Sequence, residues 1–179
     1  MKKIILYIAA SIDGYIADTA GTVEWLEDFP ITKEMNYGYD DFIASVDTVI
    51  MGGSTYREIL NMDMIWPYKA RKTYVVTRGW TEKAGIENVE FITDNVIDRI
   101  KQLRNNDEKD IFLVGGGKLV AMLLAEGLVD EMQIAYIPVI LGKGIPLFPG
   151  QPKESKWELT GNTSYSSGIL KVDYKKITR

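Results

Sequence analysis

The sequence predicts an α/β fold in three layers, helices on both faces of a mostly parallel central sheet, with antiparallel strands at its C-terminal end. Three observations carry that reading. Apolar runs of strand length alternate with helix-spaced segments as far as Gly127. Two of the strand-to-helix junctions are rich in glycine, and beyond Gly127 strand patterns follow one another without a helix between them. At 179 residues the chain is read as a single domain, 1–179, with no internal repeat or linker.

Ile4 to Ala10 is an unbroken apolar run, as expected of a central strand covered on both faces. Ser11 to Glu27 reads as a long loop over a site. Ile31 to Ser45 has helical character, with Thr32 placed as its N-cap. Asp47 to Met51 is the second strand and Ser54 to Leu60 the helix after it. Lys72 to Thr77 and Val89 to Thr93 are the third and fourth strands. Asn95 to Arg104 spaces Val96, Ile100 and Leu103 at helical intervals, and the polar run Asn105 to Asp110 closes that helix. Ile111 to Val114 is the fifth strand, and the helix Lys118 to Ala125 stops at Gly127. Glu131 to Ile140 is strand-like, and Lys156 to Thr160 with Ile169 to Tyr174 form a closing antiparallel pair.

Composition removes several kinds of chemistry. The chain has no cysteine, hence no disulfide, thiol nucleophile or zinc–thiolate centre. It also has no histidine, so Ser–His hydrolysis and the commonest transition-metal ligand are gone, and no metal site is expected. A formal charge of −4 gives a nucleic-acid partner no electrostatic support. No run approaches the ~20 apolar residues of a membrane helix. The apolar start is cut by Ser11-Ile12-Asp13-Gly14 with no cleavage-site pattern, so a cytoplasmic protein is expected. An enzyme so composed works with carboxylates, tyrosine, lysine, water or a cofactor, and the cofactor suits it best.

The glycine junctions say which cofactor class. Ile111-Phe-Leu-Val-Gly115-Gly116-Gly117-Lys118-Leu119 and Thr48-Val-Ile-Met-Gly52-Gly53-Ser54-Thr55-Tyr56 each run a strand into a helix through glycine. Glycine lets backbone approach a ligand closely. The helix start behind it offers unpaired N–H groups to a phosphate. Two such junctions in one small domain point to a dinucleotide gripped at both ends of its pyrophosphate. Hydroxyls such as those of Ser54 and Thr55 can cap the helix or bind phosphate oxygens.

Four segments in order, Ala9 to Ala17, Val49 to Tyr56, Val114 to Leu119 and Pro138 to Phe148, resemble the dihydrofolate reductase-like fold. They are most similar to the reductase domain of the bifunctional riboflavin-biosynthesis deaminase/reductase, as a stand-alone member, over roughly residues 3 to 150. The resemblance implies NADPH as cofactor and hydride transfer to a pyrimidine- or pteridine-like small molecule, with 5-amino-6-(5-phosphoribosylamino)uracil as one substrate. It implies a cis Gly115–Gly116 peptide. Cofactor contacts fall on Gly52, Gly53, Ser54, Thr55, Gly115, Gly116, Gly117, Lys118 and Leu119. Ala9 and Ile16 flank the nicotinamide, and Thr77 and Arg78 meet the 2′-phosphate, where a guanidinium binds through two parallel hydrogen bonds.

On the substrate side the same resemblance points to Trp25 and Pro138, and to Tyr136, either a hydrogen-bonding phenol or a core aromatic. Asp13 binds substrate or organises its own loop as an Asx turn. Dihydrofolate reductase itself places a carboxylate in the helix after its loop tryptophan. Glu27, Asp28 and Glu34 lie near that place without occupying it, which argues against dihydrofolate as substrate. The resemblance also implies a homodimer. A non-catalytic nucleotide- or flavin-binding protein of this fold and a broad-specificity reductase are the alternative functions.

Overall fold

The computed structural model describes residues 1–62, 64–105, 109–150 and 153–178. In chain order the elements are β1 (Ile4–Ser11), β2 (Tyr15–Ala17), α1 (Tyr39–Ser45), β3 (Val46–Gly52), α2 (Gly53–Asn61), β4 (Lys72–Val76) and β5 (Val89–Ile92). There follow α3 (Val96–Leu103), β6 (Asp110–Gly115), α4 (Gly117–Ala125), β7 (Glu131–Ile137), β8 (Ile145–Pro146), β9 (Trp157–Ser164) and β10 (Leu170–Lys176). Eight strands form one sheet in the order β5-β4-β3-β6-β1-β7-β10-β9, and β2 pairs with β8 in a small ribbon.

Every pairing from β5 across to β7 is parallel, and β10 and β9 close the sheet antiparallel. The chain starts in the middle, runs outward through β3, β4 and β5, then returns to insert β6 between β3 and β1. Right-handed crossovers running in opposite directions put their helices on opposite faces. The packing follows suit. Ile100 of α3 and Leu119, Val120 and Leu123 of α4 join Ile4, Leu6, Ile111 and Leu113 on one face. Phe42 of α1 and Tyr56 of α2 join Ile5, Val49, Met51 and Phe112 on the other. Alternate residues of β1 and β6 thus face two cores, which is why both strands read as continuous apolar runs.

The N-terminal edge of the sheet is closed by carboxylates. Asp130 accepts the Ile4 amide at 2.8 Å and the Arg104 guanidinium at 2.8 and 3.0 Å. Asp110 accepts the Lys3 amide, and Asp47 accepts the Lys109 amide and pairs with the buried Lys2 ammonium at 2.7 Å. The helix stop at Gly127 takes a Schellman form. Gly127 has φ 67°, its amide donates to Leu124, and the Leu128 amide donates to Leu123.

One expected helix is shorter than its pattern. Only Tyr39–Ser45 of the 31–45 segment is helical. The hydroxyl of Thr32 accepts the Met35 amide in a local turn rather than capping the helix. Tyr37 and Gly38 adopt left-handed backbone at φ 55° and 79°, which breaks any helix before Tyr39. Met35 and Tyr37 are drawn instead into a third apolar cluster with Trp25, Phe29, Ala135 and Ile137. β9 runs past the expected Thr160 to Ser164, because its pairing with β10 continues through Gly161 and Thr163. The polar run after α3 lies partly outside the described residues. Among those described, no helix is long and apolar enough to cross a membrane.

Leu113 is fully buried on the central strand, whereas Leu159 on the edge strand is 51% exposed. Leu113→Ala is expected to cost about 2–5 kcal/mol and Leu159→Ala under about 0.5 kcal/mol, read from urea unfolding midpoints.

Candidate functional site

Because β1, β3, β4, β6 and β7 are parallel, their C-terminal ends share one edge, at Ser11, Gly52, Val76, Gly115 and Ile137. The insertion of β6 makes the strand order reverse there. Ligands of open α/β sheets sit outside such a switch point.

The two glycine junctions meet at this edge. A Cβ on Gly52 would lie 3.6 Å from the Gly116 nitrogen, and one on Gly116 would lie 3.3 Å from the Thr55 hydroxyl. Gly115 has φ 127°, open to glycine, and the Gly115–Gly116 peptide is cis. Gly52 and Gly116 are the N-caps of α2 and α4, and neither helix has a side-chain capping bond. Their first-turn N–H groups are therefore free of side-chain acceptors, and both helix dipoles favour an anion. Ser54 is exposed and its hydroxyl accepts from Arg57 at 3.3 Å, and Lys118 is exposed. Gly117 lies beneath Pro146 and Pro149, and Leu119 packs into the α4-side core.

Thr77, just beyond β4, packs onto the start of α2. A Cβ on Gly53 would sit 2.9 Å from the Thr77 hydroxyl. Arg78 follows it at the surface, without an ion pair among the described residues. The α2 N-terminus and the Thr77 hydroxyl thus meet on the β4 side, with Arg78 next in the chain, donors of the kind that bind an anion.

The segment 139–149 folds over the other side as a flap. The Ile12 amide donates to Val139 and the Leu147 amide to Gly14, both at 2.9 Å, and β8 pairs with β2. Asp13 is the latch. One carboxylate oxygen accepts the Ser11 hydroxyl at 2.7 Å and the Leu141 amide at 3.1 Å, and the other accepts the Gly142 amide at 2.7 Å. The Ser11 hydroxyl and these amides hold its pKa below the ordinary aspartate value. Of the two roles expected for Asp13, its hydrogen bonds are those of a loop organiser. Gly144 is pressed against the Ala17 carbonyl so closely that no Cβ fits.

The remaining expected residues divide between the sheet faces. Ala9, Trp25 and Val139 belong to the third cluster, on the α1 side, and Pro138 is exposed at its edge against Gly168. The indole N–H of Trp25 is buried with no partner. Ile16 and Tyr136 pack with the α4-side core instead. Tyr136 pairs with Ala10 on β1, and burial, with Tyr174 adding, raises its phenol pKa. The structure therefore puts Tyr136 on the same side of the sheet as Ile16 and Leu119, and Trp25 in a different cluster. A groove of about 670 Å³ beside the C-terminus of α4, lined by Glu126, Lys153, Lys156 and Lys176, lies far from these strand ends and has none of their glycine architecture.

Sequence reasoning did not single out Gly144, which the Lys143-Gly144-Ile145-Pro146 turn signal could have flagged. It also missed the Leu141 and Gly142 amides, which no side chain advertises.

A sequence model of the RibD C-terminal domain matches residues 57–171. The chain belongs to the RibD C-terminal domain family. YwjB of Bacillus subtilis (strain 168), an uncharacterized protein, is 37% identical over 168 residues, covering 94% of this chain and 95% of its own. The crystal structure of a putative riboflavin biosynthesis protein from Shewanella sp. PV-4 superposes with a TM-score of 0.88 at 29% identity, covering 98% of this chain and 99% of that one. A deaminase/5-amino-6-(5-phosphoribosylamino)uracil reductase from Thermotoga maritima shares the fold with a TM-score of 0.70 at 18% identity. There, 98% of this chain covers 57% of that one. The fold is thus the dihydrofolate reductase-like fold of RibD C-terminal domains.

The latch has a pH signature. A carboxylate with a depressed folded pKa stabilises the flap above its unfolded pKa, and that contribution is lost as pH falls through the folded value. The Leu141 and Gly142 amide NMR shifts are expected to titrate together below the ordinary aspartate range. Asp13→Asn should abolish that transition while leaving resonances of β3 and β4 in place.

Proposed function

We propose that this protein is an NADPH-dependent reductase that delivers hydride to a pyrimidine- or pteridine-like ring, with 5-amino-6-(5-phosphoribosylamino)uracil as the candidate substrate. The observation that carries the reading is the meeting of two glycine-capped, side-chain-uncapped helix N-termini, with the exposed Arg78, without an ion pair among the described residues, following Thr77. When bound, the nicotinamide supplies the hydride. In this reading the Gly52–Thr55 and Gly115–Leu119 segments grip the pyrophosphate, with Lys118 adding charge from the surface. Thr77 and Arg78 take the 2′-phosphate. Ala9 and Ile16 bound the nicotinamide from opposite faces of the sheet, and Trp25 and Pro138 border the substrate.

Asp13 is committed to the flap and Tyr136 packs on the α4 side of the sheet, away from Trp25, so in this reading neither is assigned as the donor to the reacting ring. A small-molecule substrate, no nucleic-acid partner and a cytoplasmic location belong to the same reading. A homodimer does as well: β9 is an exposed sheet edge with Glu158 as its one charged residue and no proline, an edge open to a second copy.

Titration calorimetry with NADPH and NADH tests the cofactor. Micromolar NADPH binding with much weaker NADH binding is expected. Arg78→Ala should weaken NADPH about ten- to a hundredfold and leave NADH unchanged. Binding of neither nucleotide would sink the reading.

A further inference from the structure

Arg78 begins a loop that is held in place from one direction. Between Arg78 and Gly85, the hydrogen bonds that tie the loop to the rest of the protein, among the described residues, come from the Tyr56 hydroxyl. It donates to the carbonyls of Glu82 at 3.3 Å and Lys83 at 3.1 Å. The loop's other hydrogen bonds are local ones, from Gly79 to the Thr77 hydroxyl and from Ile86 to Lys83. Left-handed backbone at Ala84 and Gly85 turns the chain back toward β5.

Tyr56 itself is enclosed by its packing. It lies one turn into α2, is fully buried, and packs with Met51, Val75 and Val89. Its ring meets Trp66 and Phe91 edge-on at 5.6 and 5.8 Å and lies 5.9 Å from Trp80 of the loop. One enclosed side chain therefore connects the helix whose N-terminus faces the crevice with the loop that presents the guanidinium. The other side of Arg78 is fixed by Thr77, whose amide donates to Ile92 and whose side chain abuts Gly53.

We propose that Tyr56 is a positioning residue for discrimination between 2′-phosphorylated and unphosphorylated dinucleotides, acting through the 78–85 loop to hold Arg78 beside the N-terminus of α2. This rests on the assignment of Arg78 made above. Without the hydroxyl, the loop keeps its ring contacts but loses its polar anchor. Arg78 then samples more conformations before a phosphate arrives, and the cost of ordering it falls on binding. In this reading the loss falls on the 2′-phosphate, the group assigned to Arg78.

The test is a double-mutant cycle of Tyr56→Phe and Arg78→Ala, with Kd for NADPH and NADH measured calorimetrically and a thermal melt for each variant. The phenylalanine keeps the ring packing, so a folded variant is expected. Tyr56→Phe should lower the NADPH-over-NADH preference about three- to tenfold, the range of one hydrogen bond's net effect. NADH affinity should stay unchanged. In the Arg78→Ala background the second substitution should add nothing. If Arg78→Ala erases the preference but Tyr56→Phe leaves it intact, or weakens both nucleotides equally, the positioning role is overturned and the assignment of Arg78 survives. If the unmodified protein shows no preference for NADPH, the assignment of Arg78 is overturned and this role with it.

Discussion

The strand-end edge depends on how closely two stretches of backbone meet where β6 enters between β3 and β1. A Cβ on Gly53 would meet the Thr77 hydroxyl at 2.9 Å and one on Gly116 the Thr55 hydroxyl at 3.3 Å, while Gly115 holds a φ of 127° that suits glycine. With glycine, two helix N-termini open side by side onto one crevice, and their dipoles add. The flap, the latch at Asp13 and the loop bearing Arg78 are arranged around that meeting.

The two ends of the sheet treat their unsatisfied amides in opposite ways. At the N-terminal edge Asp47, Asp110 and Asp130 accept strand or loop amides and pair with Lys2 and Arg104. Donors and charges are matched there, so that edge contributes stability. At the C-terminal edge the helix starts keep donors without side-chain acceptors, the condition for holding an anion. The flap follows the same division. The Leu141 and Gly142 amides donate to Asp13 and the Leu147 amide to Gly14, which ties the flap to the β1–β2 turn.

Membership of the RibD C-terminal domain family does not by itself specify the substrate. Beside the strand ends lies the α1-side cluster. There Trp25, Phe29, Met35, Tyr37 and Tyr165 pack over Ala9, Ala135 and Ile137. Aromatic and aliphatic groups of this kind recognise a planar ring by area and shape. The buried, unpartnered indole N–H of Trp25 is a donor with no acceptor in the protein.

Local patterns settled much of this molecule. The apolar runs of β1, β3 and β6, the helical spacing of α3 and the stop at Gly127 were legible because each reflects neighbours a few residues apart. The glycine junctions were legible because backbone conformation and close approach demand glycine wherever the chain ends up. Segment 31–38 misled, since its helical pattern was overruled by the apolar cluster that captured Met35 and Tyr37. Asp13 could be placed in a turn, but its grip on Leu141 and Gly142 crosses 128 and 129 residues to backbone donors without a side-chain signature. Tyr136 could be placed on a strand near the substrate end, while only the alternation of β7 against two different cores put it on the α4 face, away from Trp25. The sequence by itself therefore determined the elements, the layers and the two turns that can face a phosphate. Which side chains share a face, and which loop holds which, came from the tertiary structure alone, because those contacts join residues whose proximity exists only once the sheet has formed.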